Sequence, residues 1–262
     1  GGLLTNYGRE LSKEVLSTWG NEGEQKFSYG LVSTPKEVLL GGDVRVLQVH
    51  REDEHKVQGM VILMQADAEV AYNSQKFAAV LSAGRQEIRK GFESEGRFFG
   101  RRHYVIWKID GAWAVRAGRF MKNYGLNDPN HNLFVRRDLN FGFDSETYNL
   151  ELSHAGQVTS FFFTYSDGLL FNKDWTTLKE KGTSANWSWF LFNKYKLGVN
   201  AYHGQNKSGR RNIAGIWGAI PYRNFFWLSE FDYQKAITND AGSSRKGYVT
   251  SNRFSYEITQ GF

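Results

Sequence analysis

The sequence predicts an all-β protein, a transmembrane antiparallel up-and-down β-barrel of about 14 strands, with roughly 12 to 16 as the range. Three observations carry this expectation. Aromatic residues make up 16% of the 262-residue chain, as 8 Trp, 13 Tyr and 20 Phe beside only 3 Pro, while the mean hydropathy is negative. Apolar and polar residues alternate with period two over long stretches, the signature of strands with one apolar face. The breaks between those stretches are mostly short and long in turn, as turns and loops at the two ends of a barrel would be.

A soluble core of this size draws mainly on Leu, Ile and Val, so amphipathic rings in such number belong at a membrane interface. Helical crossing is excluded, because the longest aliphatic run, Met60 to Met64, is far below the roughly 20 residues a spanning helix needs. No signal-peptide pattern opens the chain at Gly1, and the missing initiator Met reads as a mature or trimmed form. With no Cys, disulfides, thiolate catalysis and Cys-ligated metals are excluded, which also suits transit through an oxidising periplasm. The net charge of +6 does not point to nucleic acid: Lys and Arg are scattered among 27 acidic residues and form no basic tract. The excess reads as lumen and loop charge. No domain boundary, internal repeat or low-complexity linker interrupts residues 1–262, which read as one barrel domain.

Taken in order, Leu3 to Leu11 and Phe27 to Val32 read as strands, although Ser12 to Trp19 fits a short helix equally well and residues 1–25 are the weakest part of the count. Along 57–72 the even positions Met60, Ile62, Met64, Ala66, Ala68, Val70 and Tyr72 form an apolar face, against Gln65, Asp67 and Glu69. In 132–143, Leu139, Phe141 and Phe143 oppose Asp138, Asn140 and Gly142; in 147–153, Tyr148, Leu150 and Leu152 oppose Asn149, Glu151 and Ser153. Tyr195, Leu197, Val199 and Ala201 alternate with Lys194, Lys196, Gly198 and Asn200. The last segment sets Phe254, Tyr256, Ile258 and Phe262 against Arg253, Ser255, Glu257 and Gly261. Many of these run past the roughly 9 to 11 residues of a tilted membrane strand, whereas soluble strands average about 5 or 6. Their apolar faces then meet lipid and their charged faces line a wet interior.

Short breaks fall at Thr34 to Lys36, Asn73 to Gln75, Asp110 to Gly111, Asp144 to Ser145 and Tyr222 to Arg223. Long polar ones fall at His50 to Lys56, Lys90 to Gly96, Lys122 to His131, His203 to Arg210 and Gln234 to Lys246. Two places break the alternation: the connection near Ala155 is short where a loop is due, and Asn172 to Asn186 is long where a turn is due. Trp107 and Trp113 flank the Asp110 turn and Trp227 follows the Tyr222 turn, where one interfacial girdle belongs.

The chain end Phe254, Tyr256, Ile258, Gln260 and Phe262 resembles the C-terminal strand of bacterial outer-membrane proteins, whose alternate apolar residues and terminal Phe are read by the barrel-insertion machinery; Gln260 departs from that pattern. Ala114, Val115, Arg116, Ala117, Gly118, Arg119 and Phe120, followed by Tyr124, Gly125 and Leu126, resemble the strand and adjoining loop of porins, where Arg-x-Gly-Arg runs into an aromatic-Gly loop. The resemblance implies a bacterial outer-membrane location, contact with outer-membrane lipid and lipopolysaccharide, and insertion through Phe262. It also implies passive diffusion of ions and small hydrophilic solutes, with no catalytic step and no cofactor. A homo-oligomer is compatible with it, although no strand shows a distinct outward face that would mark a subunit interface. The alternative is a closed barrel acting as scaffold or sheath for a partner protein. A soluble carbohydrate-binding sandwich would account for the aromatics but not for the strand lengths.

On this reading the pore is lined by Arg45, Asp67, Glu69, Arg116, Asp138, Glu151, Lys194, Lys196, Glu230, Asp232, Arg253 and Glu257. Opposed charges across a water-filled lumen set ion preference, and Gly84, Gly100, Gly118, Gly142 and Gly198 leave room beside them. Strand phase is ambiguous at Arg101, Arg102, Arg136 and Arg137, which stay unassigned. His203 followed by Gln205 is similar to the outer-membrane phospholipase pattern, but the nucleophile's place holds an amide that cannot attack an ester, and Ser208 sits in a loop. No catalytic residue is assigned. His50, Glu52, Asp53, Glu54 and His55 carry metal-binding donors, as do Asp128, Asn130 and His131. They read as a charged outer loop and as turn chemistry around Pro129, so no metal or cofactor site is assigned. Lys173, Lys179 and Lys181 are too dispersed for a binding patch, whereas Lys207, Arg210, Arg211 and Lys246 are expected on the outer side against lipopolysaccharide phosphates.

Overall fold

The computed structural model describes residues 34–53, 56–90, 93–126, 135, 138–141, 145–168, 180–192, 194–239 and 243–256. Within them the chain forms β1 (Val38–Asp53), β2 (Lys56–Asn73), β3 (Phe77–Lys90), β4 (Glu93–Lys108), β5 (Trp113–Phe120) and β6 (Thr147–Ala155), then β7 (Thr159–Gly168), β8 (Lys181–Leu191), β9 (Tyr195–Asn206), β10 (Gly209–Tyr222), β11 (Phe225–Thr238) and β12 (Ser244–Tyr256). Each strand pairs antiparallel with the next in one sheet, so the topology is up-and-down throughout. Leu3 to Leu11, Phe27 to Val32 and the terminal Ile258 to Phe262 lie outside the described residues. Local side-chain chemistry closes the hairpins. Asp110 Oδ1 accepts the N–H groups of Ala112 and Trp113, both at 2.7 Å, between β4 and β5, and Asn206 Oδ1 accepts those of Ser208 and Gly209 at 2.9 and 3.0 Å between β9 and β10. Both are turns in which a side-chain oxygen replaces a backbone acceptor.

The sheet curls. Tyr124 lies just beyond Phe120, the end of β5, and four residues reach at most about 14 Å. Its hydroxyl nevertheless donates to Asp232 Oδ1 on β11 at 2.7 Å. A flat sheet would hold β5 and β11 six strand spacings apart, about 29 Å. Curvature therefore brings the later strands round toward β5, and residues on the concave side face a shared interior.

Polarity across the wall is the reverse of a soluble protein. On the concave side Glu151 is 2% exposed and Asp232 0%, whereas on the convex side Leu150 is 53% and Ile216 61% exposed. Exposed apolar side chains continue round the convex side through Val199, Phe231 and Phe163. Adjacent positions of one strand thus send carboxylates inward and large hydrocarbons outward, an order that is stable where lipid is the outer solvent. The described strands are the wall of a transmembrane up-and-down β-barrel, the architecture of outer-membrane proteins. An aromatic girdle follows the short turns: Trp113, His154, Phe161 and Trp187 are direct cross-strand neighbours from β5 to β8, and Trp227 stacks on Phe254 with ring centroids 5.8 Å apart.

Three expectations are corrected. Residues 132–143 are not a strand at any described position; Leu139 and Phe141, expected against lipid, are buried inside the barrel. Residues 121–146 form one long connection from β5 to β6. Without that extra strand the alternation is regular, because 156–158 and 192–194 join the turn end and 169–180 falls at the opposite end. Second, His50 to Lys56, Lys90 to Gly96 and His203 to Arg210 are largely strand, as the ladders run on beyond the apolar belt. Third, the register of β1 against β2 shifts between Arg45 and Val46, which leaves one extra residue in β2. Such a bulge inverts the alternation beyond it. Ile62, expected to face lipid with Ala66 and Val70, is buried, and Val61 takes the exposed place.

Candidate functional site

The cross-strand register sets concave-side residues into rows. Arg116, Glu151, Thr164, Ser184, Tyr202, Ile213 and Gln234 form one row from β5 to β11. The next row toward the short turns runs Ala114, Ser153, Phe162, Asn186, Asn200, Gly215 and Asp232. Residues 123–126 of the connection dock on these strands from inside. Asn186 Nδ2 donates to Asn123 Oδ1 at 3.0 Å and to the Gly125 carbonyl at 2.9 Å, while its Oδ1 accepts from Trp217 Nε1 at 3.1 Å. Asn200 Nδ2 donates to Asp232 Oδ1 at 3.2 Å, and the Leu126 N–H donates to Glu230 Oε2 at 3.4 Å. Gly125 adopts φ 60°, and a Cβ there would fall 1.5 Å from Glu230 Oε1; both constraints require glycine.

Further along, Tyr124 stacks on Phe141 at 3.9 Å between centroids, and Phe141 meets Tyr202 edge-on at 5.0 Å. Val135, Leu139 and Ile213 complete this buried cluster. Arg211 on β10 clamps the segment: Nε donates to both oxygens of Glu180 at 2.8 and 2.9 Å and one terminal nitrogen to Oε2 at 2.6 Å. The other terminal nitrogen donates to the Leu139 carbonyl at 2.7 Å. Tyr202 also donates to Glu180, at 2.8 Å, so the buried ion pair is satisfied on every side that geometry allows. Burial, and then the charge of Asp232, push the Tyr124 phenol far above its ordinary range, so it remains a proton donor to that carboxylate.

The opposite wall is different. Arg45 on β1 and Arg102 on β4 are exposed on the concave side, and Asp67 and Glu69 on β2 are half-exposed. Glu69 and Arg102 flank Ser82 in one cross-strand row. The described residues 123–126 and 139–141 therefore pack on the side of the interior lined by β8 to β11, while Arg45 and Arg102 on the β1 to β4 side stay exposed and Asp67 and Glu69 partly exposed.

Of the residues expected to line the pore, Arg45, Asp67, Glu69, Arg116, Glu151, Lys196, Glu230, Asp232 and Arg253 lie on the concave side by register. Arg116 and Glu151 are brought together at 2.7 Å, with Thr164 donating to the second oxygen at 2.9 Å. Two placements are corrected: Asp138 belongs to the inner segment rather than to a strand, and Lys194 sits in the β8–β9 turn beside the rings of Tyr195 and Tyr222. Glu257 lies outside the described residues. Arg211, expected outside against lipopolysaccharide, points inward to Glu180. Arg102 was unassignable because a register shift between Ser82 and Ala83 leaves an extra residue in β4 and breaks the phase. Glu180, Asn186 and Trp217 were missed because their partners lie on other strands.

Chemistry of other kinds finds little support in these surroundings. His203 is exposed on the convex side with Nδ1 2.7 Å from Asn212 Oδ1, a base with an orienting amide but with Gln205 where a nucleophile belongs. Among the described residues no three His, Cys, Asp or Glu side chains gather as a metal site. No family model matches the chain, and no curated protein matches it. Among solved structures it is similar to a loop L8 deletion mutant of OmpT, an outer membrane protein of Vibrio cholerae, at 11% identity over 86% of this chain and 90% of that chain with a TM-score of 0.43. It is also similar to in-vitro folded OmpT of the same organism, at 11% identity over 85% of this chain and 82% of that chain with a TM-score of 0.39. Likeness at this level assigns no activity, and the fold stands on the strand order and inverted polarity above.

Proposed function

We propose that this chain is a channel of the bacterial outer membrane for passive diffusion of ions and small hydrophilic solutes, narrowed by residues 123–126 and 139–141. One observation carries the reading: on the concave side Arg45 and Arg102 are exposed and Asp67 and Glu69 partly so, while the described residues 123–126 and 139–141 pack against the facing strands. Charged side chains exposed on the inward face are solvated there, which a dry, sealed interior would not allow. Opposed Arg45, Arg102, Asp67 and Glu69 then set a transverse field in a narrow gap, which governs ion preference. The reading requires no cofactor and no catalytic step. Lys207, Arg210 and Lys246 remain proposed contacts for lipopolysaccharide phosphates.

Single-channel conductance of the refolded protein in a planar bilayer, under a salt gradient, tests the proposal. Discrete steps with a reversal potential that moves on Arg102→Gln support it. Persistent silence from protein shown to be folded would replace it with the closed scaffold.

A further inference from the structure

The row nearest the short-turn mouth holds Phe190, Lys196, Ala219, Leu228 and Arg253, two cations and no acid. Lys196 is half-buried on the concave side. Its ammonium lies 5.3 Å from the Phe190 ring centroid and 5.6 Å from that of Trp217. Trp217 can lie flat there because Gly198 has no side chain; a Cβ would come within 2.2 Å of the indole. Among the described residues nothing accepts a hydrogen bond from this ammonium and no carboxylate reaches ion-pair distance. Deeper in the interior Arg116 and Arg211 each hold a carboxylate. Ring faces stabilise a cation but accept no strong hydrogen bond, so Lys196 keeps donor capacity toward the lumen. Phe190 is partly exposed beside it, and Leu228 adds apolar surface in the same row.

We propose that this mouth binds small organic carboxylates with an apolar body, Lys196 taking the carboxylate and Phe190 taking the body. The inference rests on the channel reading for how the solute arrives, but the site itself is defined by these side chains. A simple inorganic anion would use the ammonium alone and leave the apolar surface idle.

The probes are benzoate, acetate and phosphate, each added during single-channel recording and each titrated calorimetrically into the refolded protein in micelles. Benzoate is expected to bind and to reduce the current well below the concentrations at which acetate or phosphate acts. Lys196→Gln should raise the half-blocking benzoate concentration about tenfold, equal to one charge-assisted contact. Lys196→Arg should retain the block, Phe190→Ala should weaken benzoate while sparing acetate, and Lys194→Gln in the turn should change nothing. Equal action of all three anions, or benzoate block unaltered by Lys196→Gln in a folded channel, overturns the proposal while the channel reading stands. If the protein never conducts yet binds benzoate through Lys196, the channel reading falls and the site stands; if it neither conducts nor binds, both fall.

Discussion

Removing the guanidinium of Arg211 should detach the inner segment without dismantling the wall. In Arg211→Ala, Glu180 keeps only the Tyr202 hydroxyl, although its side chain is 8% exposed. Orphaning one member of a buried ion pair costs about 3–5 kcal/mol. The cheapest relief is for 121–146 to swing away and let water reach the carboxylate, since the same substitution removes the donor to the Leu139 carbonyl. At about 1.4 kcal/mol per decade the opened population rises roughly 10²- to 10³-fold or more. Limited proteolysis reads that population directly when opening is fast relative to cleavage. Cleavage should appear within 121–146 while the strands stay intact, and current noise should grow. Arg211→Ala combined with Glu180→Gln should recover most of the loss, because the orphaned charge is gone while Tyr202 keeps an acceptor. Cleavage of Arg211→Ala at the wild-type rate would refute the clamp, and a double variant as labile as the single one would refute charge orphaning as the cause.

Leu150→Arg places a cation on the lipid side of β6 and should cost about 2–4 kcal/mol near the bilayer midplane. Denaturant unfolding from vesicles measures it, and a cost near zero would contradict a lipid-facing convex side. Asn186→Ala removes donors to Asn123 and Gly125 and the acceptor for Trp217, and should cost about 1–3 kcal/mol. Faster deuterium uptake in 121–126 would report it; unchanged uptake would mean the amide does not anchor the segment. At the β4–β5 turn, the N–H groups of Trp113 and Ala112 hold the Asp110 carboxyl below the ordinary range. The folded value being the lower one, this stabilisation is present above the unfolded carboxylate value and is lost as pH falls through the folded one. Protection of those two amides relative to their intrinsic exchange rates should therefore fall on acidification, and Asp110→Ala should remove that response.

Period-two alternation is local, and it made β6 and β9 legible from residues alone: Leu150 and Leu152 outward, Glu151 inward, with lengths beyond those of soluble strands. Turn chemistry at Asp110 is local for the same reason, whereas the two-residue turn after Asn206 was read as part of a long loop because the polar strand ends around it resemble one. Phase was less secure, because a single extra residue in β2 or β4 inverts every later side chain and has no marker in composition; Ile62 and Arg102 fell to that ambiguity. The inner segment was misread for a deeper reason. Leu139 and Phe141 alternate with polar neighbours just as a lipid-facing strand does, since either setting buries one apolar side. What separates them is the surface they meet, Tyr202 and Ile213 rather than lipid, and that surface exists only once the wall has curled. The sequence by itself therefore determined an inside-out β wall and its short-turn end. The curled tertiary structure alone decided which side of the interior the residues around Tyr124 and Phe141 pack against, and which charges, such as Arg116 with Glu151 and Arg211 with Glu180, meet partners from distant parts of the chain.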